Sequence, residues 1–125
     1  MTYFVYMVRC ADGSHYTGLC TDPKKRMREH RERTAACAKY TRSHPAVALD
    51  ALWLAESRSA AARLEALIKR LPKQKKLALI EHPETLGAVF GEKLRATAYQ
   101  SISRAVFMQY FPPASNTESG SERKK

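Results

Sequence analysis

The chain has 125 residues, three cysteines, a formal net charge of +10 and a pI of about 9.8. That length suits one domain with a tail, and the charge excess points to a polyanionic partner, nucleic acid or an anionic membrane. No apolar run approaches the ~20 residues of a membrane span, and the N-terminus MTYFVYMVRC lacks the layout of a signal peptide, so the expected location is cytoplasmic with no membrane partner.

Residues 3–10 (YFVYMVRC) and 14–20 (SHYTGLC) are short runs rich in aromatic and β-branched residues, joined through Asp-Gly. They read as a β-hairpin. A two-residue turn would send Tyr6 and Tyr16 to opposite faces. A three-residue loop, Ala11-Asp12-Gly13, instead pairs Cys10 with Ser14, sets Tyr6 opposite Gly18 and puts both tyrosines on one face. Gly13 occupies the left-handed position that such a loop requires. Gly18 would then leave open space before Tyr6, and the two hydroxyls are expected to face a water-filled cleft.

Asp22 can cap a helix that begins at Pro23 and runs through KKRMREHRER. Residues 34–47 read as a loop with room for a short helix, and 48–56 as a third strand. Ser57 or Ser59 can cap SAAARLEALIKRL, whose Ala60, Ala61, Leu64, Leu67, Ile68 and Leu71 fit one helical face. Pro72 breaks that helix, and KQKKLALIEH forms another that stops before Pro83. The run 91–111 reads as one further helix, and the polar residues 112–125 as a disordered tail. The β-β-α-β-α-α order predicts an α+β domain with a three-stranded, mainly antiparallel sheet flanked by helices. The expected divisions are a domain over 1–82, an extension over 83–111 and the tail. Cys10, Cys20 and Cys37 are odd in number and lack C-x-x-C spacing. They read as reduced, mostly buried thiols.

Arg26 and His30 are four apart and share a helix face, either as part of a solvated basic surface or as a polar pair with a task. Glu65 falls on the border of its helix's apolar face. It is either an i,i+4 partner of Lys69 or a carboxylate set among cations to hold a metal against a phosphate. Lys24 and Lys25, then Lys39, Tyr40 and Arg42, then Lys69, Arg70, Lys73 and Lys76 make basic clusters suited to a phosphate backbone, with Tyr40 the best stacking candidate.

Phe4-Val5-Tyr6, Tyr16-Thr17-Gly18, R-M-R-E-H at 26–30 and L-E-A-L-I-K-R-L at 64–71 resemble the GIY-YIG nuclease superfamily. "VYMVRCADGSHYTG", "AKYTR" and "EALIKRLPKQKKLALI" are similar to its small stand-alone bacterial members, and to the nuclease half of structure-selective flap endonucleases. The resemblance covers residues 2–82. Phe4 and Thr17 depart from the name motif, and the family's Asn near the domain end has no match, a gap that Lys73 or Lys76 would fill. The resemblance implies a metal-dependent phosphodiesterase with catalytic Tyr6, Tyr16, Arg26, His30 and Glu65. Glu65 would be the protein ligand of Mg²⁺ or Mn²⁺, Arg26 the clamp on the phosphorane, and Tyr6 the general base, its phenol lowered by ~3 pKa units. The expected substrate is DNA, single-stranded or branched rather than plain duplex, because no major-groove reader is attached. The alternatives are a non-catalytic nucleic-acid-binding module and a nuclease acting on RNA.

Overall fold

The computed structural model describes residues 2–32 and 39–111. Cys37 and the tail expected over 112–125 lie outside them. Strands β1 (Tyr3–Cys10) and β2 (His15–Cys20) form the hairpin, followed by helices α1 (Pro23–Glu32) and α2 (Lys39–Ser43), and strand β3 (Ala46–Ala55). Helices α3 (Arg58–Lys69), α4 (Lys73–Glu81) and α5 (Leu86–Phe90), strand β4 (Tyr99–Ser101) and helix α6 (Arg104–Phe107) complete the chain. The sheet is antiparallel, in the order β2-β1-β3-β4.

The hairpin has the odd-length loop. Tyr6 pairs with Gly18 and Val8 with Tyr16, Cys10 N donates to the Ser14 carbonyl at 2.8 Å, and Gly13 N donates to the Cys10 carbonyl at 2.9 Å. Gly13 has φ +87°, the left-handed backbone that makes glycine the residue of choice there. The helix starts follow their caps. Lys25 N donates to Asp22 Oδ1 at 3.2 Å, and Ala60 N to Ser57 Oγ at 3.1 Å, satisfying amides that have no partner within the helix.

Alternation along the strands gives the sheet two buried faces. One carries Val5, Met7, Ala51 and Trp53 against Ala61, Leu64 and Ile68 of α3 and Leu79 of α4. The other carries Tyr6, Val8, Leu49 and Leu52 against Met27 of α1 and Phe107 and Phe111 near the C-terminal end. Each fully buried aliphatic side chain contributes roughly 1.5–3 kcal/mol.

Two expectations change. The sheet has four strands, not three, because Tyr99–Ser101 adds to β3 through pairs such as Leu54 with Gln100. The stretch 91–111 is also not one helix. It consists of 3-10 turns at Gly91–Lys93, Ala96–Ala98 and Met108–Tyr110, with β4 and α6 between them. Gly91 turns the chain at φ +57°. Trp53 Nε1 donates to the Pro83 carbonyl at 2.8 Å and Tyr99 Oη to the Ala60 carbonyl at 2.7 Å, fastening the segment to the core. Among the described residues no helix is long and apolar enough to cross a membrane.

Candidate active site

The odd-length hairpin loop sends the Tyr6 and Tyr16 rings to the α1 face, 6.2 Å apart. Arg26 and His30 lie one turn apart on α1 and reach the same place. Tyr6 Oη lies 2.8 Å from His30 Nε2 and accepts from Arg26 Nε at 3.1 Å. His30 Nδ1 lies 2.9 Å from Thr41 Oγ1 on α2. The Tyr16 ring is 5.9 Å from the His30 ring. Arg26 Nη1 also bonds Glu29 Oε1 at 2.8 Å.

Tyr6 and His30 are both 0% exposed. Burial therefore pushes the Tyr6 phenol well above its ordinary range, and the Arg26 hydrogen bond only partly offsets this. Burial, followed by the Arg26 charge, lowers His30 to about 4, so its imidazole is neutral. A protonated phenol that accepts from Arg26 donates its own proton to His30 Nε2. His30 then carries its proton on Nδ1 and donates to Thr41, a tautomer assigned from this bonding pattern. Arg26 stays charged: desolvation opposes the charge, but the bonds to Glu29 and Tyr6 outweigh it.

These facts correct two expectations. Tyr6 does not face a water-filled cleft, and its phenol is shifted upward rather than down. Nor does Gly18 leave open space before Tyr6. The end of the tyrosine fills that space, and a Cβ on Gly18 would meet Tyr6 Oη at 2.5 Å and Cζ at 2.6 Å.

Glu65 enters from α3, on the other side of the sheet. Its half-buried carboxylate pairs with Lys69 Nζ at 3.4 Å, and Lys69 lies 5.5 Å from the centre of the Tyr16 ring. Lys69 thus links Glu65 to the tyrosine pair. No group of three or more His, Cys, Asp and Glu converges among the described residues. A single carboxylate beside a cluster of lysines would suit Mg²⁺, which keeps most of its water and takes one or two carboxylates. It does not fit a caged transition metal.

The basic residues divide. Lys69, Lys73, Lys76 and Tyr40 line one cavity of about 470 Å³, together with Asp12, Ser14, His15, Tyr16 and Thr17. Tyr40 stacks on Tyr16 (5.9 Å, 19°) and on His44 (4.0 Å, 6°), and donates to Ser14 Oγ at 2.7 Å. Lys24 and Lys25 are exposed on the first turn of α1, and Lys39 and Arg42 on α2. Arg70 turns away and lines a separate cavity with Arg63 and Lys93. Glu29 and Thr41, which hold Arg26 and His30, lay in plain view in RMREH and AKYTR. Only the i,i+3 spacing of Arg26 and Glu29 signalled either contact.

The stretch that holds the paired tyrosines, Arg26 and His30 lies within the region matched by a known family. Residues 2–78 match the model of the GIY-YIG catalytic domain. The chain belongs to the GIY-YIG family. It is 46% identical over 85 residues to a UPF0213 protein of Fusobacterium nucleatum, covering 68% of this chain and 83% of that one. It is 40% identical over 80 residues to a UPF0213 protein of Staphylococcus aureus, covering 64% and 95%. It is also similar to the solution NMR structure of the UPF0213 protein from Bacillus halodurans, with 39% identity and a TM-score of 0.43, covering 65% of this chain and 84% of that one. A GIY-YIG catalytic domain implies nuclease chemistry on nucleic acid, generally with a divalent metal.

Proposed function

We propose that this GIY-YIG domain is a divalent-metal-dependent endonuclease that hydrolyses DNA phosphodiester bonds, preferring single-stranded or branched DNA to plain duplex. One observation carries the reading: the Tyr6 hydroxyl is shared between Arg26 Nε at 3.1 Å and His30 Nε2 at 2.8 Å. A tyrosine that served only the sheet would need its ring and not this buried chain of polar groups.

Hydrolysis requires a base for water, charge opposite the phosphorane and an eased leaving oxygen. Arg26 supplies the charge on the non-bridging oxygens. In the free protein it covers Tyr6 and is held by Glu29, and a substrate phosphate draws it outward, opening the hydroxyl to a water. The water's proton passes to Tyr6 Oη as the phenolic proton passes to His30 Nε2, so no free phenolate forms. Protonating a group that titrates near 4 costs about 4 kcal/mol at pH 7, and the arriving anion lowers that cost. Thr41 keeps the imidazole in register. Tyr16 aligns the phosphate, and Glu65 would hold the metal, which when bound supplies charge neutralisation at a phosphoryl oxygen.

One observation favours a second reading, a binding module without catalysis: Glu65 is engaged by Lys69. A single experiment separates the two. The purified protein is incubated with single-stranded, duplex and flap DNA and with RNA, each with Mg²⁺, Mn²⁺ or chelator. Metal-dependent cleavage of the unpaired DNA supports the nuclease. Binding without cleavage under every condition supports the module, and preferred cleavage of RNA would replace DNA as substrate.

A further inference from the structure

The cavity of about 470 Å³ straddles the edge strand β2. Tyr16 belongs to the α1 face, with Tyr6 and Val8. Thr17 points to the opposite face, where its strand partner Met7 packs against α3. Both residues line the same cavity, so it wraps around the edge from one face to the other. Three ammonium groups, Lys69, Lys73 and Lys76, border it, of which Lys69 is also paired with Glu65 at 3.4 Å, and the lining includes the carboxylate of Asp12. That carboxylate is already bonded to Ser14 N at 3.0 Å and Ser14 Oγ at 2.6 Å. Lys73 Nζ reaches over the hairpin turn, 4.0 Å from where a Cβ on Gly13 would sit.

The floor holds an anomaly. Thr17 is 3% exposed, and its Oγ1 is buried with no hydrogen-bond partner. Such a group costs free energy to bury and is seldom left unpaired without reason. Beside it on the same face, His15 is fixed by a 2.9 Å bond from Nε2 to Asp50 Oδ2, with both side chains under 10% exposed. The floor is therefore rigid, polar and incompletely satisfied, under a rim of cations.

We propose that this cavity is a second phosphate subsite, which takes the phosphate adjacent along the strand to the one held at Arg26, with the Thr17 hydroxyl and the three lysines as its ligands. The proposal rests on the nuclease reading for the first phosphate and extends it to the path of the strand. The strand passes from the α1 face, over Tyr16, to the α3 and α4 face. A turn around one residue suits a flexible single strand and not a duplex whose persistence length is about 150 base pairs. Thr17, where the family name motif has isoleucine, becomes a binding residue for the strand.

The test reads binding, not cleavage. The full chain without metal is titrated by amide NMR with inorganic phosphate, a thymidine trinucleotide and the same trinucleotide with uncharged methylphosphonate links. The expected result is a shift of the Thr17 and His15 amides, tightest with the charged trinucleotide. Thr17→Val should weaken that binding about five-fold, the worth of one net hydrogen bond, while leaving the melting temperature equal or higher because the orphaned hydroxyl is gone. Lys73→Ala, at an exposed position, should weaken binding by a similar or larger factor. Wild-type binding by both variants would overturn the proposal. Inorganic phosphate binding as tightly as the trinucleotide would also overturn it, since the cavity would then be an anion hole off the strand path. A protein that binds as expected but never cleaves sinks the nuclease reading alone, and one that cleaves while both variants bind like wild type sinks this subsite alone.

Discussion

The two faces of one sheet are built on opposite terms. Toward α3 and α4, the buried set at the centre is Val5, Met7, Ala51, Trp53, Leu64, Ile68 and Leu79, whose one side-chain hydrogen bond is that of Trp53 to the Pro83 carbonyl, with the polar Thr17 and His15 kept to the edge strand. Toward α1, the strand positions one residue along carry Tyr6, whose hydroxyl joins Arg26, His30 and, through His30, Thr41 in a buried polar chain. Apolar burial is non-directional and tolerant of exchange. A buried polar chain is directional, and each member left unpaired costs about 1–3 kcal/mol. The same backbone thus carries a mainly apolar core on one side and a buried polar chain on the other. Glu65 belongs by position to the packing helix, yet its partner Lys69 lies 5.5 Å from the centre of the Tyr16 ring.

The largest effect should come from the residue that crosses between the faces. Glu65→Gln is expected to reduce cleavage to background while DNA affinity is unchanged or slightly tighter, read by gel assay and by anisotropy on the same preparation. Substantial cleavage by the variant removes Glu65 from the metal site. Next is Arg26→Ala, at 10²–10³ in single-turnover rate or ~3–4 kcal/mol, as for loss of one preorganised donor. Lys25→Ala, exposed on the same helix, should mainly weaken binding. Equal behaviour of the two would make Arg26 ordinary surface charge. Tyr6→Phe should cost a comparable factor in rate. Because Tyr6 is buried, this variant should also lose about 1–3 kcal/mol of stability, as His30 Nε2 and Arg26 Nε each lose a partner.

What was legible in the chain was local. Gly13 forces the three-residue loop, and the loop fixes which face both tyrosines take. Asp22 and Ser57 mark helix starts by the amides they satisfy. The region 91–111 misleads because Leu94, Ala98 and Ile102 recur every fourth residue and so imitate a helix. Gly91 and the neighbouring 3-10 turns break that period, and Tyr99–Ser101 is too short to carry a strand pattern of its own. β4 exists because β3 leaves an open edge beside it. The site was legible as a set of residues but not as a network. The contact of Tyr6 with His30 and the burial that shifts both groups arise only when α1 docks on the sheet, a tertiary event that no spacing encodes.

The packing face gives the mirror experiment. Leu64 is fully buried among Val5, Met7 and Trp53. Leu64→Ala should cost ~2–5 kcal/mol in urea unfolding while the single-turnover rate per folded molecule stays within a factor of about two. A rate loss as large as that of Arg26→Ala would show that the faces are coupled and that α3 packing sets the position of Glu65.

The finest separation of the two faces is their response to acid. His30 is lowered from 6.5 to about 4 by burial first and the Arg26 charge second. In the unfolded chain it titrates at its ordinary ~6.5. Between those two values the unfolded state holds a proton that the folded state refuses, so stability falls as pH falls. The contribution of neutral His30 is therefore fully present above about pH 6.5 and is lost progressively toward pH 4. A gap of that size is worth at most about 3 kcal/mol. The groups facing His30 are Tyr6 and Tyr16 from the sheet, Arg26 and Glu29 from α1 and Thr41 from α2. The quantity to measure is the difference between wild type and His30→Gln in urea unfolding at pH 7, 6, 5 and 4.5, which cancels the groups that the two proteins share. That difference should shrink as the pH drops, because glutamine has no proton to gain in the unfolded chain. The penalty of Leu64→Ala should stay constant across the same series, since nothing it removes can titrate. If the His30→Gln difference is flat instead, the imidazole is not held neutral, and the relay through Tyr6 loses the acceptor on which it depends.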